Sequence, residues 1–444
     1  MELIRKLYLS LGLLCVVVQH SFSQVSPPVQ QLIDYSKRNT PAGYSPRLNI
    51  LTLTPKGNLH YLFPLYHAFK DEEKFKKIYS EKGYYDELSQ YFAFAGDYLA
   101  AQQYLVKSFD SIDDGNRRKV FRTVEGFKNI EHADARRYIN FIARRSRVIM
   151  INEAYSKPLH RAFTLSLLGD LYRQGYRYLA MEMLNNFSNH TLSKLTLRTG
   201  YYTAEPVAGE LVRSAIAMGY TLVSYEDTAA ATHTTVQRDS IRAQNIYNIL
   251  LQDTAAKILV HASYAHISKK MSPDGYIPMG LAFKNLSGID PVTIDQTDMT
   301  EESNFGYGRV FYQAYLQKYP LKVPSIALIN NEPVNVTGND LYDFSVIHPP
   351  VSYQDGRPTW LTLGGTRQAF YVKPPSISTY LVQAYYQDEI AGNDNKPWQL
   401  VPADQTYITG GKKNYLLYLK KGKYTVYFRD IDYHILSTLN IEVN

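Results

Sequence analysis

Through the middle of the chain, apolar runs of strand length alternate with stretches of helical period. Val148-Ile149-Met150-Ile151 ends at Asn152-Glu153, a helix is expected from Pro158 up to Gly175, and a second run from Tyr176 to Met181 ends at Glu182. The same alternation continues. Runs at 221–225, 257–260 and 291–294 end at Glu226-Asp227, His261 and Asp295, with helical stretches at 206–218, 238–251 and about 279–286 between them. Pro158 and Pro206 stand where a first helical turn would begin, and Gly175 and Gly219 just past the ends. Repeated strand-helix-strand order predicts an α/β fold over 147–345, a mostly parallel sheet with helices on both faces. The run at 325–329, after Pro324, is a candidate for one further strand.

Patterning changes on both sides of this block. Between 24 and 146 the period is helical: Leu88, Tyr91, Phe92 and Ala95 share a face, Gly96-Asp97 interrupts it, and Tyr98, Ala101, Leu105 and Phe109 continue on a second face. This predicts a hairpin of tetratricopeptide type. Only one clear unit is present, so a helical cap is favoured over a peptide-binding groove. From 350 to 444, short aromatic-rich runs are separated by glycine- and proline-containing turns, and Leu439, Ile441 and Val443 alternate with polar residues. A small C-terminal β-sandwich in a supporting role is expected.

Residues 1–23 carry Arg5 and Lys6, an apolar run from Leu7 to Val18 and the triplet Ser21-Phe22-Ser23, the pattern of a cleaved secretory signal. Cleavage is expected near Gln24, giving a secreted or periplasmic protein with no transmembrane segment in the mature chain. Cys15, the single cysteine, falls inside this leader, with a lipid anchor there as the lesser alternative because Leu14 is bulky. A mature chain without thiols has no disulfide scaffold, zinc-cysteine site or cysteine nucleophile. The net charge of +7, which becomes +6 without Glu2, Arg5 and Lys6, is spread in isolated residues and short pairs. Scattered charge of this kind argues against a nucleic-acid partner. The 39 tyrosines fit an extracytoplasmic protein with polar-aromatic surfaces but name no ligand.

In an open parallel sheet, ligands bind beyond the carboxyl ends of the strands. Glu153, Glu182, Glu226, Asp227, His261 and Asp295 all fall at those ends, and His266 follows in the adjoining loop. Each alone is an ordinary loop residue or cap; their shared edge makes them a candidate site. Glu153 and Glu182 at neighbouring strand ends can divide acid and base work, and His266 can serve as a base near neutral pH or as a metal ligand. Arg161 and Arg238 are candidates for pairing with a carboxylate or an anionic substrate. The signatures G-x-S-x-G, H-E-x-x-H, G-x-x-x-x-G-K-[ST] and G-x-G-x-x-G after a strand are missing, which removes the usual support for serine hydrolases, zincins, P-loop proteins and dinucleotide enzymes.

The segments INEAYSKPLHRAFT, YRYLAMEML, YYTAEPVAGELVRSAIAMGYTLVSYED, RDSIRAQN and ILVHASYAHISK, spanning about 145–300, resemble the superfamily that joins erythromycin esterases, ChaN-like haem-binding proteins and the TraB/TIKI proteins. The resemblance places Asn152-Glu153-Ala154-Tyr155 at the first motif, Glu182 at the second glutamate, Arg238 at the helical arginine and Ser263-Tyr264-Ala265-His266 at the last motif. It implies catalysis by Glu153, Glu182 and His266, with Tyr155, Arg161, Arg238 and His261 around a small-molecule or peptide substrate. Asn152 stands where the family has glycine and Tyr155 where it has histidine, which takes away one nitrogen ligand for the divalent metal the TIKI branch implies. Two readings follow: a hydrolase-like protein of unknown substrate, and a ChaN-like ligand-binding protein without turnover.

Overall fold

Val148 and Met150 face one side of a sheet while Ile149 and Ile151 face the other, and both pairs are sealed from water. This two-sided burial is what a continuous apolar run demands of a parallel strand. The computed structural model describes residues 26–40, 59–185, 192–196, 199–230, 232–303, 308–338, 340–393, 396, 399–407 and 414–444. The expected leader lies outside the described residues.

Strands β1 (Glu131–Asp134), β2 (Val148–Glu153), β3 (Tyr176–Met181), β4 (Thr221–Val223), β5 (Lys257–Ser263), β6 (Val292–Asp295), β7 (Ser325–Ile329), β8 (Glu332–Pro333) and β9 (Phe344–Ser345) precede the C-terminal region. Six of them form one parallel sheet in the order β4-β3-β5-β2-β6-β9. On one face Ile149, Ile151, Leu179 and Leu259 meet Leu165, Leu168, Val207 and Leu211 from helices Pro158–Arg173 and Pro206–Met218. On the other, Val148, Met150, Ile258 and Val260 meet Ala243, Ile246, Met279 and Phe283 from helices Thr235–Gln252 and Met279–Ser287. Each fully buried branched side chain is worth roughly 1.5–3 kcal/mol. Both faces are therefore closed, and the carboxyl ends of the strands are where irregular chain and polar groups collect.

Several details differ from the sequence expectation. β5 runs on through His261 to Ser263, so His261 is a strand residue rather than the first loop residue, whereas β4 already ends at Val223. The 325–329 run does form a strand, but it pairs antiparallel with β1 in the separate sheet β1-β7-β8. Helix Asp114–Glu125, in the expected helical region, packs Val120 and Val124 against Val310, Tyr312 and Tyr315 of helix Gly308–Lys318. The parallel edge strand β9 has only two residues, too few to leave a pattern.

Helices Phe63–Lys70, Glu72–Phe94 and Tyr98–Lys107 precede the sheet. Gly96 turns the chain between the last two at φ +82°, and a Cβ there would lie 2.5 Å from the Gln405 carbonyl oxygen, so glycine is required on two counts. Asp97 then caps the next helix by accepting from the Ala100 N–H at 3.0 Å.

The C-terminal region is antiparallel. It contains β10 (Tyr353–Gln354), β11 (Arg357–Pro358), β12 (Gln368–Val372), β13 (Leu381–Tyr386), β14 (Asp404–Tyr407), β15 (Tyr415–Leu419), β16 (Gly422–Arg429) and β17 (Ile435–Val443), in sheets ordered β10-β11, β12-β15 and β14-β13-β16-β17. β17 lies at a sheet edge, which leaves Leu439 43% exposed although Val443 is buried. Glu210, on helix Pro206–Met218, ties this region to the α/β sheet: Arg367 donates to it at 3.0 Å, Tyr386 at 2.9 Å, and Lys420 pairs with it as well. No helix among the described residues is long and apolar enough to cross a membrane.

Candidate functional site

At the carboxyl edge of the sheet the polar residues of the strand ends separate into an inner and an outer group. The inner group is fully buried. Arg161, in the first turns of helix Pro158–Arg173, donates to Glu153 through Nε at 2.7 Å and Nη2 at 3.2 Å, and to Glu205 through Nη1 at 3.2 Å. Glu205 in turn caps helix Pro206–Met218, accepting from the Val207 and Ala208 N–H groups at 2.9 and 2.8 Å, and from the Tyr98 hydroxyl at 3.0 Å. Burial pushes the Glu153 carboxyl up, the Arg161 guanidinium pulls against it, and the Glu182 charge adds to the rise. His261 Nε2 faces Glu153 at 3.8 Å, but burial and the nearby Arg161 charge push this imidazole down to about 3, so it is neutral. Arg161 and His261 are 0% and 1% exposed. Arg161 is spent on contacts within this inner frame, and His261 lies buried beside it.

The outer group reaches solvent through Glu182, Glu226 and His266 and centres on Arg242. The Arg242 Nη2 lies 3.3 Å from Glu182 Oε1 and 2.5 Å from Glu226 Oε1, and its Nη1 lies 2.9 Å from Asp239 Oδ1 and 3.2 Å from His266 Nε2. Asp239 Oδ2 sits 2.9 Å from His266 Nδ1 and also accepts from the Tyr276 hydroxyl and, at 3.0 Å, the Met279 N–H. A carboxylate only accepts, so Nδ1 carries a proton, and in the neutral imidazole Nε2 is then the acceptor nitrogen. His266 Nε2 is 3.9 Å from Glu182. Although burial raises Asp239, its bonds to His266 and Tyr276 and the Arg242 charge hold it below the usual carboxylate range.

Tyr155 joins the two groups. Its hydroxyl lies between Glu182 Oε1 at 3.1 Å and Ser263 Oγ at 2.8 Å, while its carbonyl accepts from Arg161 at 3.1 Å. The ring stacks on Tyr202 at 4.4 Å and meets Tyr264 edge-on at 5.5 Å. Burial and the Glu182 charge push the phenol up, so it stays protonated. Glu182 Oε2 accepts from the Ser263 N–H at 2.7 Å, which pins the carboxylate to the end of β5.

The structure thus brings Glu153, Tyr155, Glu182, Glu226, His261 and His266 to one edge. Asp295 and Asp227 do other work. Asp295 is fully buried and accepts from Asn152, Thr297, Asp298 and Ser345, closing the end of β6. Asp227 pairs with His233 at 2.7 Å. Arg238, the expected arginine, pairs with Glu226 at 3.6 Å and is partly exposed; Arg242, one turn further on, also reaches Glu226 and is the residue buried inside the cluster. Sequence reasoning misses both Arg242 and Tyr276. The four-residue spacing of Arg238 and Arg242 is the available signal, because it puts both on one helix face, but the sequence does not say which reaches the sheet.

Asn152, which stands where the resembled family has glycine, also has a defined task. It donates to the Tyr264 carbonyl at 2.9 Å and to Asp295 Oδ1 at 2.8 Å, and its Oδ1 accepts from the Gln296 N–H at 2.8 Å. One side chain therefore laces the ends of β2, β5 and β6 together. As for a divalent metal, the available donors Glu182, Glu226, Asp239 and His266 already converge on the Arg242 guanidinium. The set does not fit a metal ion, which would have to displace that resident cation.

Beside Tyr264 lies a cavity of about 670 Å³ between the helices of residues 72–107 and the sheet edge, lined in part by Leu105, Phe109, Ser156, Lys157, Tyr264 and Tyr342. No family model matches the sequence, and no curated protein matches it. Among solved structures the chain is similar to RRSP, a MARTX toxin effector domain from Vibrio vulnificus CMCP6, with 13% identity and a TM-score of 0.26 over 64% of this chain and 67% of that one. A likeness at this level carries no argument about fold or function.

Proposed function

We propose that this chain is a hydrolase-like protein whose working groups are His266, Asp239, Glu182 and Arg242. The observation that carries this reading is the Asp239–His266 contact at 2.9 Å, which fixes the imidazole tautomer so that Nε2 turns toward Glu182 and Arg242. A base oriented by a carboxylate can take a proton from water or a substrate hydroxyl. The Arg242 guanidinium is placed to stabilise negative charge that develops nearby. Glu182 orients the attacking group, and Tyr155, as a protonated phenol, supplies a donor where the resembled family has a histidine. Glu153 has both oxygens taken by Arg161 and sets the inner frame. The substrate is a small molecule or peptide with a hydrolysable ester, lactone or amide bond.

One observation favours the second reading, a ligand-binding protein without turnover. The Nε2 lone pair faces a guanidinium, and the Tyr155 phenol fills the space between Glu182 and Ser263. We also read the leader as an export signal, and the C-terminal sheets as facing layers because Val372 and Leu417 share one core with Val382 and Val426. The test is a screen of the purified protein against ester, lactone and peptide substrates, with and without manganese, cobalt or zinc, alongside Glu182→Gln and His266→Ala. Turnover that survives unchanged in both variants removes the hydrolase reading. A ligand retained without turnover selects the second.

A further inference from the structure

The cavity beside Tyr264 has a polar corner that the hydrolase reading does not use. Most of its wall is apolar or aromatic, but Ser156 and Lys157 line both this cavity and a smaller neighbouring one that Thr300 also lines. Ser156 is 5% exposed and its Oγ has no hydrogen-bond partner. A buried hydroxyl left unpaired is destabilising, and a ligand atom bonded to it would relieve that cost. The Lys157 ammonium donates to the Glu301 main-chain carbonyl, and no carboxylate among the described residues lies within ion-pair distance of it. Three acids share the cavity wall: Glu302, which pairs with Arg309 at 2.8 Å, Asp86, which accepts from Gln90 at 3.0 Å, and Asp298. Both Ser156 and Lys157 stand directly before the sixteen-residue helix Pro158–Arg173.

We propose that this cavity binds an amphipathic carboxylate, with the anionic head held by Lys157 and Ser156 and an acyl or aromatic body against Leu105, Phe109, Tyr264 and Tyr342. Two features converge on one spot: a buried lysine whose ammonium donates to a main-chain carbonyl, and an unpaired buried hydroxyl. The apolar remainder of the cavity has room for a ligand of about eight to twelve carbons, on the order of the usual small-molecule pocket. Binding at this corner goes beyond the hydrolase reading, since it needs neither His266 nor Glu182.

The experiment compares octanoate, octan-1-ol and octylamine by titration calorimetry on the full chain. Octanoate is expected to bind about tenfold tighter than octanol, the value of one charge-assisted hydrogen bond, and octylamine more weakly than either. Lys157→Met should abolish the preference for octanoate over octanol, Lys157→Arg should retain it, and Ser156→Ala should weaken octanoate alone. Lys82→Met, at the outer part of the cavity, should leave the preference intact, which controls for bulk charge. Glu182→Gln should not change octanoate affinity, so failure of the hydrolase reading leaves this result standing. Failure of octanoate to bind, equal binding of octylamine, or a preference that survives in Lys157→Met overturns the proposal.

Discussion

Arg161 grips Glu153 through two nitrogens, at 2.7 and 3.2 Å, and turns its third to Glu205, with all three side chains out of water. One guanidinium thus ties the end of β2 to the start of helix Pro206–Met218. Removing one member of such a triad strands the rest as unpaired buried charge. Arg161→Met is expected to lower stability by about 3–5 kcal/mol in urea unfolding. Arg161→Lys should recover only part of this, because an ammonium cannot satisfy the two-pronged contact. A loss below about 1 kcal/mol in Arg161→Met would mean the triad contributes little.

Asp239 should matter to His266 in a way that stability does not report. Asp239→Asn keeps the shape but offers Nδ1 an amide, which allows the imidazole to take the other tautomer or flip. On any substrate the protein turns over, kcat is expected to fall by about 10²-fold or more with KM changed little. Tyr276→Phe, which removes a second donor to the same carboxylate, should show the same sign at smaller size. Equal falls in kcat/KM from KM alone would assign Asp239 to binding.

Tyr155→Phe tests the phenol by itself. The ring stack on Tyr202 survives, while the bridge between Glu182 and Ser263 is lost. The expected cost is about 1 kcal/mol in thermal unfolding. Tyr155→His puts a second imidazole beside Glu182. If the phenol is what blocks metal or turnover, that variant gains manganese- or zinc-dependent activity that Tyr155→Phe does not show. No difference between the two variants would leave Arg242 as the block.

Acid should unfold this protein through two windows. His261 and His348 are buried and His60 half-buried, and all three are pushed down to about 3 from 6.5, chiefly by desolvation, so the unfolded chain binds more protons than the folded one across that interval. Stability is complete above 6.5 and falls as the pH drops toward 3. Glu210 adds a lower window: against burial, Arg367, Lys420 and Arg213 hold it at about 2 instead of 4.5, so its contribution is present above 4.5 and lost as the pH falls to 2. The slope in each window follows the protons that the unfolded chain takes up there and the folded chain does not. Glu210→Gln should destabilise at neutral pH and flatten the stability curve below pH 4.5. A curve of unchanged slope in that variant would remove Glu210 from the account.

The sequence by itself determined the alternation of strand and helix, because a strand buried on both faces must be apolar throughout and the residues that punctuate helices act locally. It also placed Glu153, Glu182 and His266 at one edge, since parallel strands joined by crossovers end on the same side. Only the tertiary structure decided what those residues do. Whether Glu153 faces a substrate or Arg161, and whether Arg238 or Arg242 turns toward the sheet, depends on how helices dock, and a helix rotation of a few tens of degrees leaves no mark on its periodicity. The 325–329 strand shows the same limit. Its pattern is legible, yet its pairing with 131–134 rests on a contact nearly two hundred residues away. Asn152 is the clearest case: in the sequence it is one polar residue at a strand end, and only the folded chain shows it lacing three strand ends together.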